Sequence, residues 1–241
     1  SLNISINNNI IATYPFPKIL GLTLDPKLNF AEHIKYTKAK AYKTIKIYKA
    51  LTGSSWGKNK QTLIHTYKSI TRPIIEYAST TWAPLISETN FNQLQIVHNQ
   101  IARIATGHTA DTNNNIVNNE AKILPIVPHT AIHSSNLRHD STHPEHPLHS
   151  LLQNPPPPRL MKKSIFNNTD NLILLHTTHQ NPEQQTNKTE ARKTIHTQAV
   201  QQHLLTIPNN SIINRPPPDI DKTEEELPRR THQLLAQLRA N

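Results

Sequence analysis

Five lysines recur along residues 31–51 at intervals that suit one side of a helix. At about 100° per residue they fall within an arc roughly 140° wide. They are Lys35, Lys38, Lys43, Lys46 and Lys49, with Tyr42 in the middle of the arc. Like charges in a row repel, and a polyanion with regularly spaced phosphates relieves that repulsion, while a tyrosine among lysines suits base stacking. The pattern predicts nucleic-acid contact, with a solvated helix face as the open alternative.

A second group of candidate ligands is rich in histidine. It comprises His139, Asp140, His143, His146 and His149. Clustered histidine and aspartate side chains can bind zinc or nickel. Pro144 and Pro147, however, prevent one helix from presenting all of them on a single face. We therefore predict a solvated linker and no metal site here, with a metal- or protein-binding adaptor built on this segment as an alternative.

Patterns typical of catalysis are sparse. Cysteine is absent, and the four glycines form neither a Gly-x-Ser-x-Gly turn nor a phosphate-binding loop. Asp219 and Asp221 are the only aspartates two positions apart, and the proline-rich stretch around them disfavours a metal site. The sequence predicts no catalytic residue in this chain.

The positive charge is concentrated in the first part of the chain. The net charge is +10, and residues 1–110 hold 13 lysines and arginines against 4 acidic residues, whereas residues 111–241 hold 13 against 12. A basic domain attracts polyanions through its field alone, although the sign does not say which polyanion.

Apolar periodicity predicts a small helix bundle behind the lysines. In residues 31–51 the apolar face consists of Ile34, Ala41, Ile45 and Tyr48. A second helical pattern spans about residues 60–82, and Pro73 is expected to kink or divide it near Arg72. A third spans about residues 87–106, with Ser87 or Thr89 as its N-cap and Gly107 as its end. Within it, His98 is expected to be a packed surface histidine rather than a ligand.

A glycine interrupts the apolar segment "KILGLTLD", Lys18 to Asp25, and Asp25-Pro26 predicts a turn after it. Glycine within a strand usually marks a bulge or the close approach of another backbone or a ligand. Together with "KALTGSSWGKNKQTLIHTYKSITRPIIEYASTTWAP" and "LQIVHNQIARIATG", this segment resembles the region just after the catalytic palm of reverse transcriptases from non-LTR, jockey-like retrotransposons. The resemblance covers about residues 15–138 and returns at "EEELPRRTHQLLAQLRAN".

The resemblance implies a role for each part of this region. The Lys-x-Leu-Gly-x-x-x-Asp block corresponds to the primer grip, where Gly21 would let the backbone approach the primer and Lys18 would supply positive charge. The following helices would form the thumb, with the lysines along the template–primer backbone. The Tyr-x-Asp-Asp motif of the family is absent, so we expect the chain not to polymerise alone. The Mg²⁺ ions belong to the palm, and the implied partners are RNA, DNA and the palm and fingers of the same polyprotein.

The expected fold is mainly α, with a short β strand or hairpin, a small thumb-like bundle, and a Pro/His/Asn-rich, largely irregular C-terminal half. We predict four parts: the end of the palm and the primer grip (1–30), the thumb-like bundle (31–107), short packed helices (108–140) and a proline-rich connector (141–241). Short helices are possible near 172–176, 189–205 and 227–239. No apolar run or leader suggests a membrane or secretion, so an intracellular location, nuclear and/or cytoplasmic, is predicted. A degenerate reading frame without present activity is the remaining alternative.

Overall fold

A computed structural model describes residues 5–7, 9–10, 14–53, 57–155, 188–207 and 228–240. This part is mainly helical, as predicted. It begins with two antiparallel hairpins, β1 (Ser5–Ile6) with β2 (Asn9–Ile10) and β3 (Lys18–Ile19) with β4 (Leu22–Thr23). The helices are α1 (Ala31–Ala50), α2 (Lys60–Thr66), α3 (Arg72–Glu76), α4 (Ser79–Trp82), α5 (Glu88–Thr106), α6 (Asn114–Glu120), α7 (Ile126–Asp140), α8 (His149–Gln153), α9 (Lys188–Thr206) and α10 (Arg229–Ala240).

The segment around Gly21 is a tight hairpin, one of the two forms predicted, and the glycine lies in its turn and not within a strand. Lys18 pairs with Thr23 and Ile19 with Leu22, so Leu20 and Gly21 are the two turn residues. Their φ angles are 47° and 86°. Two positive φ values define a type I′ turn, whose twist matches that of paired strands. The glycine is therefore required by the turn itself.

Asp25 connects this hairpin to α1. Its carboxylate accepts hydrogen bonds from the backbone N–H groups of Lys27 (3.0 Å), Asn29 (3.2 Å) and Phe30 (2.6 Å). The predicted turn at Asp25-Pro26 is present, with the Leu28 N–H donating to the Asp25 carbonyl. The carboxylate thus satisfies the backbone donors of the loop and fixes the direction in which α1 begins.

Pro73 divides the second helical pattern, as predicted. The chain passes from α2 through a π-helical segment, Tyr67–Thr71, into α3, with Pro73 in the first turn of α3. Proline lacks an N–H and its ring clashes with the carbonyl four residues earlier, so the wider turn accommodates it. A short 3₁₀ turn, Ala83–Leu85, follows α4.

The core lies between α1, α5 and the divided helix. The predicted apolar face of α1 is buried, and Tyr67, Trp82, Leu94 and Ile101 pack in the same cluster. Both predicted caps of α5 are present: Ser87 Oγ accepts from the Asn90 N–H (3.4 Å), and Gly107 ends the helix at φ 81°. These helices form the predicted bundle.

His98 lies inside this core, which corrects the expectation of a surface histidine. Its side chain is fully buried, with Nε2 donating to Asn118 Oδ1 (3.1 Å) and Nδ1 accepting from the Tyr67 hydroxyl (2.5 Å). Asn118 continues to Asn99, and Asn99 to Gln95. Burying an imidazole without hydrogen bonds is costly, so the bonds to Asn118 and Tyr67 stabilise His98 in the core.

The later helices add to the bundle from outside. Helices α6 and α7 pack on α5, and α9 packs on α7. Helix α10 lies against the end of α5, where Arg229 donates to the carbonyls of Lys58 (2.9 Å) and Ile104 (2.5 Å). Helices α9 and α10 match two of the short helices predicted in the C-terminal half. The helix suggested near 172–176, and most of the stretch expected to be irregular, lie outside the described residues.

Within the described ranges, no helix combines the length and the apolar character needed to cross a membrane.

Candidate nucleic-acid interface

The five lysines form one exposed surface on α1, which we call the lysine face: Lys35, Lys38, Lys43, Lys46 and Lys49. Lys38 is half-buried and the other four are exposed. The core contacts of α1 lie on its opposite side. Lys35 is 3.7 Å from Glu32 in an exposed ion pair, which contributes little to stability. The face therefore presents its charges to solvent.

Tyrosines flank the lysines on the exposed side of α1. Tyr42, predicted from the sequence, is 53% exposed, and Tyr36 is 63% exposed. Sequence analysis missed Tyr36 and the exposed Lys40, which lie beyond the predicted arc but within the broad solvent-facing side of the helix. The sequence did contain a signal for these two residues: the apolar face of the helix is narrow, so most of the helix circumference must face solvent. Exposed aromatic rings beside cations can stack on bases.

Lys18 lies near the first turn of α1, on the side of His33 and not on that of the lysine face. It pairs across the hairpin with Thr23, whose backbone N–H donates to His33 Nδ1 on α1 at 3.4 Å. Burial, and secondarily the charge of Lys18, lower the pKa of His33. The hairpin therefore carries an additional exposed cation toward the first turn of α1.

Gly21 faces a tyrosine rather than the lysine face. A Cβ at this position would lie 3.2 Å from Tyr77 Cε1, and the Tyr77 hydroxyl donates to the Leu20 carbonyl at 3.0 Å. The turn and this ring explain why glycine is present. Close approach of a primer to Gly21 stays a prediction.

The histidine-rich group is not gathered into a site. His143 Nδ1 accepts from the Glu145 N–H and His146 Nδ1 from the Leu148 N–H, both within short turns. Asp140 instead pairs with Lys188 (3.1 Å) and Arg192 (3.0 Å) of α9. These contacts are local turn and helix-packing interactions.

Among the described residues, one other cluster brings together three metal-ligating side chains: Glu76, His129 and His133. Sequence analysis missed it, although the His-x-x-x-His spacing of "HTAIH" was a signal for a shared helix face. Its mixed imidazole and carboxylate donors suit zinc better than Mg²⁺, which prefers oxygen ligands. These residues do not fit the Mg²⁺ ions that the resemblance implies, and Asp219 and Asp221 lie outside the described residues.

Comparison with known proteins finds one informative relative. The chain is 23% identical over 146 residues to a probable RNA-directed DNA polymerase from transposon X-element of Drosophila melanogaster. The alignment covers 61% of this chain and 16% of that polymerase. No protein-family profile matches the chain, and no solved structure does. The similarity supports a region related to the reverse transcriptase of a transposon.

Proposed function

We propose that this chain is a duplex-holding part of a retrotransposon reverse transcriptase, with a thumb-like bundle that positions RNA–DNA template–primer. The observation that carries the proposal is the lysine face, an exposed row of charges on a helix whose other side is anchored in the core. The transposon relative supports nucleic acid as the partner class. The catalytic palm of the same polyprotein would be a further partner, and the site of action would be nuclear and/or cytoplasmic.

The geometry of α1 suits a nucleic-acid backbone. A helix rises about 1.5 Å per residue, so Lys49, 14 positions after Lys35, lies about 21 Å further along the axis. Phosphates along one strand of a duplex follow each other at about 3.4 Å along the axis, so a row of this length passes several of them. Contacts of this type hold a duplex in place without reading its sequence.

Two other functions have less support. The adaptor built on the histidine-rich segment would need ligands gathered around one point, whereas His143 and His146 make only local contacts. The second is a degenerate reading frame without activity. Glu32 is the one acidic residue in residues 31–51, and a sequence without a function would have no reason to keep that side of the helix so uniformly basic.

The test is the salt dependence of binding to a blunt RNA–DNA duplex, measured with the full 241-residue chain. Each phosphate contact contributes about −0.9 to the slope of log affinity against log salt, so Lys43→Gln/Lys46→Gln should flatten the slope by about 2. Both lysines are exposed and off the core face. Glutamine is a comparable helix former, so the fold should survive.

The matched control removes two positive charges elsewhere. Lys193 and Arg230 are exposed on α9 and α10, and Lys193→Gln/Arg230→Gln should leave the slope almost unchanged. Equal flattening by both pairs would show diffuse attraction to a basic chain and would refute a defined interface. Binding that discriminates strongly between duplexes of different sequence would also refute the proposed backbone contact.

A further inference from the structure

Glu76, His129 and His133 bring three potential ligand atoms to one point between two helices. Glu76 is the last residue of α3, and the two histidines lie one turn apart on α7. Their ligand atoms all lie within 4.8 Å of one another. No part of the proposed duplex-holding function uses this cluster.

The distances suit a small metal ion. Glu76 Oε2 is 2.9 Å from His129 Nδ1 and 3.3 Å from His133 Nε2. With bonds of 2.0–2.1 Å, the ligand atoms of a tetrahedral zinc ion are about 3.3–3.4 Å apart. The cluster is therefore already close to the spacing that a shared ion would impose.

Hydrogen bonding inside the protein does not fully explain the cluster. His129 Nδ1 is buried and lies 2.9 Å from Glu76 Oε2, but the two atoms do not have the geometry of a hydrogen bond. The other carboxylate oxygen, Oε1, faces Arg72 instead. The Glu76 side chain is only 6% exposed. Buried polar atoms without partners are rare in folded proteins, and an ion held beside Glu76 Oε2 would accept the lone pair of His129 Nδ1.

Exposure increases from one ligand to the next. The side chains of Glu76, His129 and His133 are 6%, 21% and 44% exposed, so the cluster opens to solvent on the His133 side. His129 also lines a cavity of about 560 Å³ between the π-helical segment, α6 and α9. An ion could thus enter, and a water molecule could complete its coordination.

One neighbour opposes cation binding. Arg72 Nε lies 3.6 Å from Glu76 Oε1, on the carboxylate oxygen that the histidines do not approach. Arg72 also donates to the Leu124 carbonyl at 2.6 Å, so the backbone holds part of its guanidinium. Glu76 Oε2, the oxygen beside the two histidines, would face the metal ion. The positive charge of Arg72 will nevertheless weaken the affinity for a cation.

We propose that Glu76, His129 and His133 form a zinc site with one open coordination position that joins α3 to α7. Two imidazoles and a carboxylate are a ligand set that proteins use for zinc when the fourth position holds water. The ion would connect α3 to α7 at a point where His129 and Glu76 lie close together but do not form a hydrogen bond.

The test uses the full chain, freed of any affinity tag and stripped of metal. Zn²⁺ uptake by equilibrium dialysis should reach one equivalent, and Co²⁺ should give the intense visible absorption of a low-coordinate site. His129→Asn/His133→Gln should abolish both signals. His133→Gln alone, at the most exposed ligand, should fold normally and weaken affinity at least about tenfold, the scale seen when even a supporting partner of a ligand is lost.

The control is His143→Gln/His146→Gln, which removes two histidines from the neighbouring turns and should leave uptake unchanged. Zn²⁺ should also raise the Tm of the parent chain and of this control but not of the His129→Asn/His133→Gln variant, because a ligand that binds only the folded state stabilises it. Uptake that survives loss of His129 and His133, or that disappears with His143 and His146, would overturn the proposal. So would an absence of uptake by the parent chain.

Discussion

At the scale of single residues, His98 shows how burial changes chemistry. Burial, and to a lesser extent the charge of Arg72, lower the pKa of His98 to about 3. The imidazole therefore stays neutral in the core, where one nitrogen donates to Asn118 and the other accepts from Tyr67. Asn118 Oδ1 can only accept, so it places the proton on Nε2, and the resulting hydrogen bonds connect the π-helical segment to α6.

This burial predicts a pH dependence of stability. In the unfolded chain His98 has its ordinary pKa of 6.5, so between pH 6.5 and about 3 the unfolded state binds a proton that the folded state does not. The stability that comes from keeping His98 neutral should therefore be fully present above pH 6.5. Below that pH the free energy of unfolding should fall, by up to about 1.4 kcal/mol per pH unit for one proton. His98→Gln removes this proton, so urea unfolding of the variant should show a shallower decline between about pH 6.5 and 5.

The comparison must be made on the slope, because His98→Gln also breaks hydrogen bonds and lowers stability at every pH. Burial also lowers the pKa of His33, His108, His129 and His203, so part of the slope will remain. Below about pH 4.5 the protein should lose further stability through Glu76. Burial alone would raise the pKa of this carboxyl, but its contacts with the histidines outweigh burial and lower the pKa to about 2. His143→Gln, at an exposed position, is the control. Identical slopes for His98→Gln and the parent chain would contradict this account.

Turn chemistry was only partly readable from the sequence at this scale. Gly21 was noticed as an unusual glycine, but the sequence Leu-Gly lacks the asparagine or aspartate that commonly precedes glycine in a type I′ turn. Leu20 occupies a left-handed conformation at φ 47° and is 85% exposed. Its conformation is set by the pairing of Lys18–Ile19 with Leu22–Thr23 and by the bond from Tyr77, a residue 57 positions away.

At the scale of secondary-structure elements, local signals predicted most of the bundle. The apolar spacing of α1, the division at Pro73 and the caps of α5 are all encoded within a few residues of where they act. Which helices meet is decided over longer distances. The contacts of α10 with α5, and the approach of Glu76 to α7, depend on residues 125 and 57 positions apart and gave no local signal.

The attachment of α10 depends strongly on one side chain. Arg229 is 7% exposed and donates to the carbonyls of Lys58 and Ile104, while Gln237 and His108 make two longer contacts across the same junction. A hydrogen bond to a charged group contributes about 1.5–3 kcal/mol. Arg229→Met should therefore release α10, seen as faster hydrogen exchange of residues 229–240 while α1 and α5 stay protected.

Arg230 offers a matched control for this prediction. It is exposed beside Arg229, so Arg230→Met removes the same charge from the same helix but leaves both carbonyls paired. Exchange in α10 should then stay slow. If both variants accelerate exchange equally, charge rather than the buried contacts holds the helix, and the interpretation of the junction is wrong.

At the scale of the whole molecule, the positive charge and the candidate metal ligands occupy different surfaces. The lysine face is on the solvent side of α1, whereas Glu76, His129 and His133 lie between α3 and α7. Variants at one surface should therefore leave the other intact. The two proposals can then be tested independently in the same chain.

Holding a duplex and extending it require different residues, which leads to a prediction for the intact chain. Nucleotide transfer by polymerases needs paired carboxylates that hold two Mg²⁺ ions, and the sequence contains no two adjacent aspartates. The described part gathers only a mixed Glu76, His129 and His133 cluster.

The 241-residue chain, given primed RNA template, Mg²⁺ and nucleotides, should retain the duplex in a filter-binding assay yet extend no primer. Lys43→Gln/Lys46→Gln should weaken retention in that assay, and a reverse transcriptase of known activity supplies the positive control. Template-dependent extension by the purified chain would show that its carboxylates do form a catalytic metal site, and the separation of holding from chemistry would be wrong.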